Sequence, residues 1–374
     1  GNDYQLNWTL AQYHKITPSQ HAFRNLHERG LKMLVKNGKF DEAKRFHVQG
    51  IGGSKEEKAL NNQQLIVGEQ VSQEAHQQVL RDVRKHLSFG SDVFVNDGTV
   101  GSHRTQSVRT RVISDSAATS LFLSMMLGRL AHQQDVSAIS ESLELTVYVC
   151  THQGVIEANP ETPFVHFDQE NNVLVVGNTT SNVGLMQTII KAAEQIWTEK
   201  GTHLVRASST LIAPDQTQLI FTTPSQSALA LPKGTSLYSD FATCWSDDGI
   251  SRVLDARVQP FNKDASSSGF VEDYTGEGSS RLIAPIEPLG CTLPHPKTAV
   301  VMLNAQAPSL SKLSDAQTQS VLKTHSSTTI DAILKNKMDV YAIGATKNQN
   351  ELIKAFQTIS QNPSSIRPAP KNLS

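Results

Sequence analysis

The run Ala299-Val-Val-Met-Leu303, led in by Thr298, is apolar at every position. It constrains the fold more than any other stretch. A strand with one wet face alternates apolar and polar residues, whereas a strand without alternation is covered on both faces. Residues 298–303 therefore read as a central strand. Further strands are read at 92–95, 111–114, 143–150, 164–167, 172–176, 202–208, 218–222 and 340–343, with short ones between 245 and 258. Asn96-Asp97-Gly98 and Asp247-Asp248-Gly249 read as turns, the second between hairpin strands.

Helical spacing marks the remaining segments. Phe23, Leu26, Leu31, Leu34 and Val35 make a stripe in the opening stretch, with Gly30 as a break. Residues 63–88 form a second helix with Val71, Ala75, Val79, Leu80 and Val83 on one face. Others follow at 116–133, 183–199, 315–323 with Ser314 as cap, 328–337 and 350–360. Residues 263–280, rich in Ser, Gly and Asp, read as an exposed loop, and the tail 362–374 as a flexible or docked strap. No internal repeat is found. The sum is a mixed α/β protein, helix-rich at first and strand-rich later.

Composition narrows the function classes. The 374 residues suffice for two ordinary domains or one large α/β unit. With 38% hydrophobic and 18% charged residues the chain can bury a core. A net charge of −1 creates no general attraction for nucleic acid or an anionic membrane. No apolar run approaches the ~18 residues of a spanning helix, and 120–127 reads as part of a buried one. Cys150, Cys244 and Cys291, odd in number and without C-x-x-C spacing, form neither a disulfide framework nor a zinc site. That usage points to a reducing compartment. Gly1-Asn2-Asp3-Tyr4 has no signal-peptide pattern, and a cleaved targeting segment would leave no trace.

Several clusters admit two readings. Asp240, Asp247 and Asp248 are a relic metal cluster, or the last two are turn chemistry. His103, Arg104, Arg109 and Arg111 are a phosphate or RNA patch, or a solvated strand edge. Cys150, His152 and His166 are metal ligands or, their spacing matching no known site, structural residues. Ser225-Gln226-Ser227 is an anion-binding stretch or an ordinary loop.

One ordered series of motifs goes further. It comprises Asp92-Val-Phe-Val-Asn-Asp-Gly-Thr-Val-Gly101, Thr110-Arg-Val-Ile-Ser-Asp115, Trp245-Ser-Asp-Asp-Gly249 and Arg281 ahead of Leu282-Ile-Ala-Pro285. His295-Pro-Lys297, Ser311-Lys-Leu-Ser-Asp-Ala-Gln317 and Thr329-Ile-Asp-Ala-Ile-Leu334 complete it. Together they resemble the ATP-dependent phosphoenolpyruvate carboxykinase family. The resemblance implies an N-terminal α/β carboxykinase-like domain over 1–214. It implies a C-terminal mononucleotide-type, β-rich, degenerate nucleotide-binding-like domain over 215–361, and the tail 362–374. It also implies a deleted lid, because only residues 320–327 separate the last two motifs.

That family decarboxylates oxaloacetate and phosphorylates the enolate from a nucleotide. The chemistry takes a glycine-rich phosphate loop with a lysine and a metal-binding threonine, a divalent metal, and arginines that clamp carboxylates. Carried onto this chain, the phosphate loop falls on Thr222-Thr-Pro-Ser-Gln-Ser-Ala-Leu229, which has no glycine. Ala228 stands at the lysine position and Leu229 at the threonine position. The paired lysines fall on Gln187 and Thr188, or on Met186 and Gln187 in the neighbouring register. The ligand histidine falls on Arg206. Of two aspartates Asp240 remains and the second is Phe241. The clamping arginine falls on Gly53, and the substrate-facing tyrosine on Ser181 or Asn182. Arg281 is retained.

The resemblance therefore implies a pseudoenzyme with no ATP, metal or other cofactor. It fits a structural or accessory subunit whose partners are other proteins of a larger assembly. The metabolic-enzyme ancestry suggests the mitochondrial matrix side, with the cytoplasm otherwise. Alternatives are a sensor that holds a small anion through Arg206 or Arg281 in an emptied cleft, against a salt bridge filling the hole, and an active enzyme with rebuilt chemistry. No nucleic-acid partner or membrane span is implied.

Overall fold

The computed structural model describes residues 4–50, 66–67, 72–130, 135–157, 163–178, 182–222, 234–263, 268–274, 280–303, 307–344 and 348–373. Over these the protein is mixed α/β. None of its described helices is long and apolar enough to cross a membrane. The chain divides into two compact units. The first comprises Gly1–Gly101, Ser107–Trp197 and Pro260–Pro285; the second comprises Ser102–Gln106, Thr198–Gln259 and Ile286–Ser374. Each unit is discontinuous in sequence, whereas the sequence reading drew a single junction at 214/215.

The first unit holds a seven-stranded sheet in the order Ala22–Arg24, Val93–Val100, Val108–Ser114, Leu145–Cys150, Val173–Gly177, Phe164–Asp168 and Ile66–Val67. Val95, Ile113, Tyr148, Val175 and His166 are successive rung partners, so they line one face. The helices Tyr4–His14 and Gln73–Phe89 cover this face with Leu6, Leu10, Val79, Leu80, Val83 and Leu87. The period of two in the strands meets the 3.6-residue period of the helices there. A second sheet of the unit carries Arg281–Pro285, Phe270–Tyr274, Phe46–Gly50 and Lys39–Phe40 in that order.

Four expectations change here. Phe23 lies in a strand parallel to Val93–Val95, its ring stacked 5.4 Å from Phe94, and Gly30 lies inside the helix Glu28–Leu34. The helix expected at 63–88 begins only at Gln73; Ile66–Val67 is a strand and Ala75 is exposed. Val71 falls outside the described residues. Asn96-Asp97-Gly98 is strand interior, not a turn. A Cβ on Gly98 would stand 2.6 Å from the Gly128 carbonyl, so the glycine serves a close backbone approach. Finally, Phe270–Tyr274 is a strand within the supposed loop, parallel to Phe46–Gly50 and antiparallel to Arg281–Pro285. Tertiary pairing overrides its polar surroundings.

The second unit is built on a six-stranded sheet ordered Ser236–Ser239, Ser208–Ala213, Gln216–Phe221, Thr298–Leu303, Asp339–Gly344 and Ser311–Lys312. Thr298–Leu303 is central and parallel to both neighbours. Ala299 and Val301 pack in one core with Leu322 and Ile333. Val300 and Met302 pack in another with Leu352, Phe356 and Ile359 of the helix Gln349–Gln361. Both faces of the apolar run are thus covered, as its composition requires. Ser314 and Gln317 form a reciprocal capping box on Asp315–Val321. The tail is docked: the Lys312 amide donates to Arg367 O at 2.9 Å and the Ala369 amide to Lys312 O at 2.8 Å. A three-stranded sheet, His203–Val205, Thr243–Ser246 and Gly249–Arg252, contains the hairpin around Asp247-Asp248.

Candidate functional site

In the second unit the strand Gln216–Phe221 leads to the segment expected to be the phosphate loop. Ser225, Gln226, Ser227, Ala228 and Leu229 lie outside the described residues. The described neighbourhood of that strand end contains Phe221, whose ring meets His325 edge-on at 5.0 Å. Burial lowers the pKa of His325, and the charge of Arg206 lowers it further. Arg206 follows Val205, the last rung partner of Thr243, and Thr243 Oγ1 donates to Ala207 O at 2.8 Å. The segment Asp240-Phe241-Ala242 therefore runs beside Arg206.

Asp240 is partly buried. Its Oδ1 accepts from the Phe241 amide at 2.9 Å and its Oδ2 from the Val258 amide at 3.1 Å. Desolvation raises its pKa to about 6, against the opposing pull of the Val258 amide, the Arg257 charge and the Phe241 amide. Phe241 has φ 65, a conformation that bulky residues rarely adopt. Asp247 and Asp248 belong to the hairpin turn, and Asp248 accepts from His103 Nε2 at 2.7 Å.

In the first unit Asn182 opens the helix Asn182–Glu199 and its Nδ2 donates to the buried Glu272 at 2.9 Å. Glu272 and Arg281 are rung partners, so Asn182, Glu272 and Arg281 gather in one place. Sequence reasoning missed Glu272 because it lies in the stretch read as a loop. Thr188 is buried and donates to Gly184 O at 2.8 Å, and Gln187 is half-buried. Gly53 and Ser181 lie outside the described residues.

The four basic residues of residues 103–111 are neither an anion patch nor a solvated edge. Arg104 is exposed and the Arg109 side chain is partly so, on a strand that lies inside its sheet rather than at the edge. Arg109 pairs with Glu144 at 3.3 Å. His103 is buried; its Nδ1 accepts from the Thr105 and Gln106 amides, which leaves Nε2–H to donate to Asp248. Arg111 is fully buried and grips Asp97 through two bonds, 2.8 and 3.1 Å long. Arg24 adds a third at 2.7 Å. Arg111 Nη1 also lies 3.0 Å from His14 Nε2. A guanidinium offers only donors, so His14 Nε2 accepts and the proton sits on Nδ1, facing Tyr148 Oη at 3.0 Å. Burial, then the Arg111 charge, hold the His14 pKa down to about 3.

Cys150, Cys244 and Cys291 are all free thiols. Cys150, His152 and His166 do not converge; His166 stacks on His76 at 4.7 Å. Among the described residues His152 instead meets His86 and Asp115, the one grouping whose ligand atoms all lie within 4.8 Å. Sequence spacing concealed it, because its members come from three elements.

A family model described as phosphoenolpyruvate carboxykinase matches residues 45–255. The match covers 211 of 374 residues, more than half of the chain. A comparison with curated proteins finds no match. The matched span runs from the Phe46–Gly50 strand through both flanks of the Asp247-Asp248 hairpin and holds three of the seven motifs, those at 92–101, 110–115 and 245–249. The chain belongs to the phosphoenolpyruvate carboxykinase family.

Proposed function

We propose that this family member does not perform the family's reaction and acts as a structural or accessory subunit of a larger protein assembly. The observation that carries the reading is the environment of Asp240. A divalent ion needs several oxygen or nitrogen ligands free to coordinate. By the family resemblance the metal position keeps one carboxylate, Asp240, beside Phe241, with Arg206 in place of the ligand histidine, and a guanidinium has donors only and no lone pair to offer a metal. This donor set does not fit a divalent metal. Gln187 and Thr188 supply no cation, which fits the same reading. So does the five-residue connection 322–326 between the helices Asp315–Val321 and Ser327–Lys335, which leaves no length for a lid.

A binding role draws support from the first helix. Tyr4 and Trp8, one turn apart, are 83% and 47% exposed, and Trp8 meets Tyr13 edge-on at 6.3 Å. Contiguous exposed aromatic groups favour protein contact. A carboxykinase assay with manganese and ATP is expected to give no turnover above the blank, and robust turnover overturns the reading. Gentle extraction and native separation are expected to show the protein travelling with partners. Migration at its own 40.9 kDa speaks against a subunit role.

A further inference from the structure

We propose that His86, Asp115 and His152 form a binding site for a divalent transition-metal ion of the zinc class, separate from the family's own metal position. The three side chains come from different elements of the first unit. His86 lies in the last turn of Gln73–Phe89. Asp115 is the first residue beyond the strand Val108–Ser114, and His152 the second beyond its parallel neighbour Leu145–Cys150. The cluster therefore sits at the carboxyl ends of two adjacent parallel strands, where α/β sheets commonly place their ligands.

Its chemistry suits the ion. Two imidazoles and a carboxylate are the donor set of open zinc and related sites, which keep further positions for water or substrate. His86 Nε2 stands 2.9 Å and His152 Nδ1 3.8 Å from Asp115 Oδ2. The two rings are 5.0 Å apart at 75°. Ligands bound at about 2.0–2.2 Å in a tetrahedron stand roughly 3.4 Å from one another. Rotation of His152, whose side chain is 48% exposed, closes the difference.

The carboxylate is held in advance. Asp115 is fully buried at its side chain and accepts from the Thr151 amide at 2.9 Å, the Thr151 hydroxyl at 2.8 Å and the His152 amide at 3.3 Å. Such outer hydrogen bonds orient ligating carboxylates. The His86 ring is placed by Gly90, where a Cβ would stand 2.7 Å from Nδ1. A rigid buried carboxylate, a half-enclosed imidazole and a mobile exposed one make a site that is open on the His152 side.

The test uses the full chain, stripped of metal, carrying Cys291→Ser so that the exposed thiol does not report. Zinc is titrated by calorimetry and cobalt by its visible absorption. One equivalent of each is expected to bind, and His152→Ala and His86→Ala are each expected to weaken binding by at least about tenfold. His152→Ala removes an exposed side chain, so its metal-free melting temperature should match the parent. No stoichiometric binding by the parent overturns the proposal. So does binding that survives unchanged in both variants, since the ion then sits elsewhere.

Discussion

At the scale of single residues, two titrating groups act on stability in opposite senses. His14 is held neutral, with its pKa near 3 against an ordinary 6.5. Below pH 6.5 the unfolded chain takes up a proton that the folded chain refuses, so stability falls as pH drops from about 6.5 toward 3. At about 1.4 kcal/mol per pH unit the loss has an upper bound of roughly 5 kcal/mol. Replacing His14 with Gln should flatten the urea-midpoint profile across that window. Asp240 is raised to about 6, so it favours folding below pH 3.8 and the benefit disappears as pH rises through 6. Asp240→Asn should therefore flatten the profile between pH 4 and 6.5. The Asp97 carboxylate binds both Arg24 and Arg111. Asp97→Asn strands a buried guanidinium and should cost about 3–5 kcal/mol in urea unfolding.

At the scale of elements, turn and cap chemistry sets two further expectations. Gly249 has φ +126, and a Cβ there would stand 2.0 Å from Leu293 O. Gly249→Ala should cost at least about 2 kcal/mol through backbone strain and the displaced 290s segment. Ser314→Ala removes one half of a capping box and should cost about 1 kcal/mol, read from the melting temperature. The central strand, the Asp247-Asp248 hairpin and the Ser314 cap were legible because local pattern and tertiary need agree there. Asn96-Asp97-Gly98 was not, because Asn96 is satisfied by Ser120 and Asp97 by Arg111 and Arg24, while Gly98 lies against the Gly128 backbone, partners invisible to a local window. Phe270–Tyr274 was missed for the same reason: pairing from distant chain makes a strand of polar surroundings.

At the scale of the molecule, the family could be reached through the order of its motifs. The convergences of His86 with Asp115 and of Glu272 with Asn182 could not, since no spacing links residues 29 and 90 positions apart. The chain's passage between its two units has one more result. Phe46 pairs with Phe270, 224 positions later, in the strand that lies between Phe46–Gly50 and Arg281–Pro285. The seven-stranded sheet has all its strands once residue 177 is made. The second sheet waits for residue 285. At about 5–20 residues per second of synthesis, those 108 residues take roughly 5–20 s. Until Phe270–Tyr274 is made, the segment 46–50 lacks the strand that fills its edge, so its backbone groups on that side have no native partner during synthesis.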